Sequence, residues 1–119
     1  MIARKKGLKG KLDKAFSLWI RKRDNWTCRR CGMRYTPFSR GYHAAHMKGR
    51  RNETLRWDEK NVFGLDYGCH SFLDQHADAK VYWYVSQFGQ AAWDELIVKS
   101  RKLSHFKDYQ IELMLEMYK

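Results

Sequence analysis

Apolar residues recur at helical spacing over most of this chain and at strand spacing in only two short places. Leu12, Ala15, Phe16, Trp19 and Ile20 fall on one stripe, so Leu12–Asp24 reads as an amphipathic helix, with Lys14, Arg21 and Arg23 off the stripe. Tyr42–Met47 and Val62–Leu65 read as short strands. Between them Lys48–Glu53 is polar and contains Gly49, which marks a turn or loop. Tyr67–His76 starts a helix that carries Cys69, His70 and Asp74. Val81–Gly89 and Ala91–Leu103 read as two more helices broken at Phe88-Gly89, and their stripes (Tyr82, Val85, Phe88 and Trp93, Leu96, Ile97) are expected in the core. His105–Lys119 reads as a last amphipathic helix, with Tyr109, Leu113 and Met117 on its line and Ile111 and Leu115 off it, able to dock on the body or on a partner. The fold class is α+β.

Composition narrows this picture. A chain of 119 residues makes one domain with a modest core, which a metal often supplements at such sizes. Its hydrophobic fraction of 44%, with 5 Trp, 7 Tyr and 6 Phe, excludes disorder throughout. No apolar run approaches the roughly 18 residues of a membrane span. The basic segment Met1–Lys6 is not followed by an apolar stretch, so no secretory signal is expected and the protein is expected in the cytoplasm. Net charge is +11, unevenly spread: residues 1–60 carry +13 and residues 61–119 carry −2. One face is therefore expected to meet a polyanion, although charge alone would equally suit RNA or an anionic membrane. Residues 1–10, with Arg4, Lys5, Lys6, Lys9 and two glycines, read as a flexible basic arm; residues 11–103 form the domain and 104–119 the terminal helix.

The odd cysteine count excludes a complete disulfide framework and favours metal ligation. Structural zinc wants four ligands in a tetrahedron, usually from two knuckles. Cys28-x2-Cys31, followed by the turn-permitting Gly32, supplies the first pair. A second pair of equal spacing ending at Cys69 begins at Asp66; His43 and His76 are substitutes for that weakest member. His46 stands just ahead of Lys48, Arg50 and Arg51, where a neutral imidazole, its reference pKa near ~6.5, could take a proton from water beside a phosphate. His70 has Asp74 one helical turn on, a workable pair for Mg²⁺ or Mn²⁺. Asn61, at the head of the second strand, could pin the loop that carries His46.

Taken together, Cys28-x2-Cys31, His46-Met47-Lys48-Gly49-Arg50-Arg51, Leu55-Arg56-Trp57-Asp58, Asn61-Val62-Phe63-Gly64-Leu65 and Cys69-His70-Ser71-Phe72 run in an order that resembles the HNH endonucleases, the ββα-metal nucleases. More closely they resemble the small phage- or prophage-type members with a zinc knuckle, over roughly residues 26–100. The resemblance implies a ββα-metal core flanked by N- and C-terminal helices, with His46 as general base, Asn61 clasping the loop and His70 holding a catalytic divalent ion. It implies hydrolysis of double-stranded DNA to 3′-hydroxyl and 5′-phosphate ends, nicking one strand per event. Lys48, Arg50, Arg51 and Arg56 would position the backbone, and phage packaging proteins would be partners by analogy. Two departures stand out. Many members carry Asp or His just before the base, where this chain has Ala45, so His43, Asp74, or water and phosphate oxygens would have to complete the catalytic metal's shell. The zinc sites usually have four cysteines, where this chain has Asp66. A non-catalytic zinc-ribbon DNA-binding module is the rival reading, and RNA a less favoured substrate.

Overall fold

The computed structural model describes residues 7–49, 51–102 and 104–119. Its elements run α1 (Leu8–Arg23), β1 (Tyr42–His46), α2 (Glu53–Arg56), β2 (Val62–Asp66), α3 (Tyr67–Gln75), α4 (Ala77–Phe88), α5 (Gln90–Ser100) and α6 (Asp108–Tyr118). The fold is α+β: six helices around one antiparallel hairpin, in which His43 pairs with Leu65, Ala45 with Phe63 and His46 with Val62.

A two-stranded hairpin is marginal alone, so its two faces must be covered. One face meets α1: Leu8, Leu12, Phe16 and Ile20 are buried with Val62, and Ile111 and Tyr118 of α6 close the same cluster. Ala45, Phe63 and Leu65 on the other face pack with Leu73, Trp83, Tyr84, Trp93 and Leu96 of α3, α4 and α5. Asp24, just beyond α1, holds helix to hairpin. Its buried carboxylate accepts from Arg23, from Arg29 and from the Gly64 backbone N–H at 2.7 Å. Arg23 in turn donates to the carbonyls of Glu59 and Val62.

Several elements depart from what periodicity predicts. Helix α1 begins at Leu8, so Lys9 and Gly10 belong to it and not to an arm; the remaining arm residues, Arg4, Lys5 and Lys6, lie outside the described ones. The loop after β1 contains a single helical turn, α2, that its short polar sequence does not signal. On α4 the buried residues are Trp83 and Tyr84, while Tyr82 is 77% exposed, because the helix starts at Ala77 and presents a different face. The stripe on α6 is reversed: Ile111 is buried and Leu113 and Met117 are exposed, since α6 meets α1 through Ile111 and Tyr118. The expected end of α5 at Leu103 lies outside the described residues; the helix ends at Ser100.

Two buried groups make the fold sensitive to single changes. A Cβ on Gly64 would lie 1.7 Å from Tyr42 Oη and 2.4 Å from its Cζ, with the Tyr42 ring locked by a 2.8 Å hydrogen bond to the Thr27 carbonyl. Gly64→Ala is therefore expected to lower unfolding free energy by about 3 kcal/mol, the upper end of overpacking costs, in a urea titration. Glu53 of α2 is 7% exposed and accepts from Lys9, His105 and the Phe106 N–H. Burial opposes its charge, but these donors win and hold the carboxyl down at about 2 from 4.5. The ionised form is the one that stabilises, so its contribution is complete above pH ~4.5 and is lost as pH falls toward 2. Glu53→Gln should flatten the acid limb of stability against pH in that window; an unchanged limb would count against the assignment.

Candidate functional site

The knuckle follows directly on α1. Asn25 and Trp26 both have left-handed backbones, φ 55° and 54°, which reverse the chain. The bulky Trp26 is held there by the rings of Phe38 and Tyr42 and by Arg21 over its own ring. Cys28 N–H then donates to the Met33 carbonyl, and Gly32 N–H to that of Cys28 at 2.8 Å, with Gly32 at φ 79°. This tight turn turns Cys28 and Cys31 toward the junction of β2 and α3.

There the thiols of Cys28, Cys31 and Cys69 and a carboxylate oxygen of Asp66 all lie within 4.8 Å of one another. A tetrahedron of zinc–sulfur bonds of about 2.3 Å has edges of about 3.8 Å, so a small contraction closes this cluster on an ion. Asp66 thus takes the fourth place; His76 instead stacks on Phe72, and His43 faces His70. Asp66 is held ionised, at about 2: burial opposes its charge, but the Cys69 N–H and the Cys31 and Tyr35 side chains outweigh it. Burial pushes the Cys69 thiol up to about 12 despite the Arg30 guanidinium 3.4 Å away, so a cation is what this shell needs before its sulfurs ionise. The four residues could hold a structural metal such as zinc.

Asp66 does a second job. Its Oδ1 accepts the Cys69 N–H at 2.8 Å and so caps α3. The cap and the cluster together fix the turn that displays His70.

His46, Ala44, His70, Asp74, Lys80, Gly49 and, from α1, Asp13, Phe16 and Ser17 line a cleft of about 420 Å³. His46 ends β1, and its Nε2 lies 2.9 Å from the Arg56 carbonyl. A carbonyl only accepts, so Nε2 carries the proton and the neutral ring's lone pair is on Nδ1. Asn61 is wholly buried between the ends of the intervening loop. Its Nδ2 donates to the Lys48 and Leu55 carbonyls and its Oδ1 accepts the Lys48 N–H at 2.8 Å.

His43, His70 and Asp74 form a line. The Arg40 carbonyl is 3.0 Å from His43 Nε2, His43 Nδ1 is 3.0 Å from His70 Nδ1, and His70 Nε2 is 3.2 Å from Asp74 Oδ2. Each of these three gaps needs one hydrogen, and two neutral imidazoles bring two. The line is one positive charge short, which a third proton or a metal ion would supply. Burial disfavours the proton at His70, lowering its pKa against the pull of Asp74. Because His43 meets one edge of the His70 ring and Asp74 the other, a single ion at Nε2 would be shared with Asp74 and not with His43. Among the described residues the cysteine–aspartate cluster is the one group of three or more ligands within mutual reach.

Of the cations expected to meet DNA, Arg56 is paired with Asp13, which holds its guanidinium charged more firmly than usual. Lys48 sits over the Trp93 ring, Arg51 is exposed, and Arg50 lies outside the described residues. The sequence pattern missed Asp13, Ser17 and Lys80, which reach the cleft from α1 and α4; nothing local marks them, since tertiary packing alone brings them there. No helix among the described residues is long and apolar enough to cross a membrane. Compared with protein-family models, curated proteins and solved structures, the chain gives no match.

The cluster makes a separable prediction. Purified protein should carry one zinc per chain, and Asp66→Ala should lose both the zinc and the α3 cap. Asp66→Cys should keep the zinc while losing only the cap, about 1 kcal/mol. Metal content by elemental analysis and melting with and without chelator distinguish these, and full zinc in Asp66→Ala would remove Asp66 from the ligand set.

Proposed function

We propose that this chain is a metal-dependent DNA endonuclease of the HNH, or ββα-metal, type with a structural zinc. The observation that carries the reading is that His46 and His70 both line one cleft, with the loop between the strands clasped by Asn61. Strand, loop, strand and helix follow in the order of that family, and the strongly basic first half suits a polyanionic substrate.

In the proposed reaction the Arg56 carbonyl fixes the His46 tautomer, and Nδ1 takes a proton from a water molecule. As that proton leaves, the water oxygen bonds to phosphorus and the bond from phosphorus to the 3′ oxygen breaks. The departing oxygen takes a proton from solvent, giving 3′-hydroxyl and 5′-phosphate ends. His70 and Asp74 would hold the divalent ion, and His43 would fix the His70 tautomer with Nδ1–H toward itself. Such an ion, Mg²⁺ or Mn²⁺, supplies charge stabilisation for the pentavalent phosphorus and the leaving oxygen.

One observation favours the rival, a zinc-ribbon module that binds DNA without cutting it. Ala45 is 1% exposed and packs in the core, so nothing just before His46 serves the ion. Supercoiled plasmid separates the two. Wild type should convert it to open circle with Mg²⁺ or Mn²⁺ and not with EDTA. His46→Ala should be slower by about 10²–10⁴-fold, the usual worth of a general base. Intact plasmid with every ion, together with an equal gel shift for both proteins, would leave the binding module.

A further inference from the structure

Lys80 stands out in the cleft because of where its charge goes. Among the described residues that line the cleft it is the only lysine or arginine. Its side chain is 17% exposed, and its Nζ lies 2.8 Å from Asp74 Oδ1, while Asp74 Oδ2 faces His70. It arrives from the first turn of α4, after the chain breaks at His76, where φ is −132° and ψ 85°. Two other cations of the loop between the strands are committed elsewhere: Arg56 to Asp13 and Lys48 over Trp93.

We infer that Lys80 is a catalytic residue of the proposed nuclease: it guards Asp74 while the ion is absent and contacts a non-bridging oxygen of the scissile phosphate once the ion is bound. The inference rests on the endonuclease reading. Its physical basis is competition for one carboxylate. Without an ion, the ammonium is the strongest partner available to Asp74 and satisfies it. A divalent ion at His70 and Asp74 takes over that negative charge and repels the ammonium beside it. The nearest uncompensated negative charge in the cleft is then that of the phosphate, and an ammonium on a flexible stem can follow it. Charge aimed at the oxygens that gain negative charge in the transition state acts on turnover more than on binding.

This role predicts changes of opposite sign in two measurements. In Lys80→Met, which keeps the apolar stem, kcat on DNA should fall about 10²-fold with KM nearly unchanged. In the same variant, calorimetric titration of Mn²⁺ into zinc-loaded protein without DNA should show binding about tenfold tighter, the scale of removing one neighbouring unit charge. Lys80→Arg should recover most of kcat and restore the weaker Mn²⁺ binding. A purely structural lysine would weaken both together, since a disturbed Asp74 binds the ion less well. Wild-type kcat in Lys80→Met, or weaker Mn²⁺ binding, would overturn the assignment while leaving the nuclease intact. Wild type that cuts under no ion would instead overturn the endonuclease reading, and the Lys80 role with it.

Discussion

The cysteine cluster and the start of the helix that displays His70 both depend on one carboxylate, that of Asp66. Its two oxygens face different structures: Oδ1 caps α3 through the Cys69 N–H, and Oδ2 receives the Cys31 thiol and the Tyr35 hydroxyl. The residue stands where β2 ends and α3 begins, so the metal cluster and the helix start are one joint. His70 follows Cys69 directly, and its position is set within a residue of that joint. A fourth cysteine would serve zinc equally well but could not accept the backbone hydrogen bond with comparable strength. For a metal held by this cluster, the aspartate would trade a softer ligand for a better cap.

The loop that follows the proposed base, His46, is fixed by a different device. Between His46 and Val62 only Met47, Leu55 and Trp57 of the described residues reach the core, and buried polar groups hold the rest. Asn61 closes its two ends with three hydrogen bonds, and Glu53 ties its single helical turn to Lys9 near the start of α1 and to His105 and Phe106 ahead of α6. Buried polar groups of this kind are costly unless every atom is matched, and for that reason they specify one arrangement. A short hairpin with so small a sheet has few other means of holding an exposed loop in register.

Local features were readable where neighbouring residues make them. The Cys28–Cys31 turn, both strands, the α3 start and the grouping of Asp66 with the three thiols follow from spacing of a few residues. So does the clasping role of Asn61, which acts on the loop it terminates. What spacing did not convey is which face of a helix is inside when several residues compete. Tyr82 and Leu113 lie on regular stripes yet are exposed, because Trp83 and Ile111 bury more productively against Phe63 and α1. Lys80 and Asp13 illustrate the same limit at the site. Each comes from an element outside β1, β2 and α3, and only the packing of α1 and α4 around the hairpin brings them to the cleft.

The departure at Ala45 has a consequence for the order of events on the proposed reading. With Ala45 turned into the core, the described residues proposed to hold the ion are His70 and Asp74, and Lys80 already occupies one oxygen of the latter. A hard divalent ion wants about six oxygen or nitrogen ligands, and two from the protein bind it weakly. Phosphate oxygens of DNA are the natural supply for part of the rest. Ion and substrate then bind with positive coupling, because each completes the other's shell, and by linkage the same factor tightens both. The missing acidic ligand would not remove the chemistry. It would shift ion loading from the free protein to the complex with DNA, and confine the ready state to a cleft that already holds its substrate.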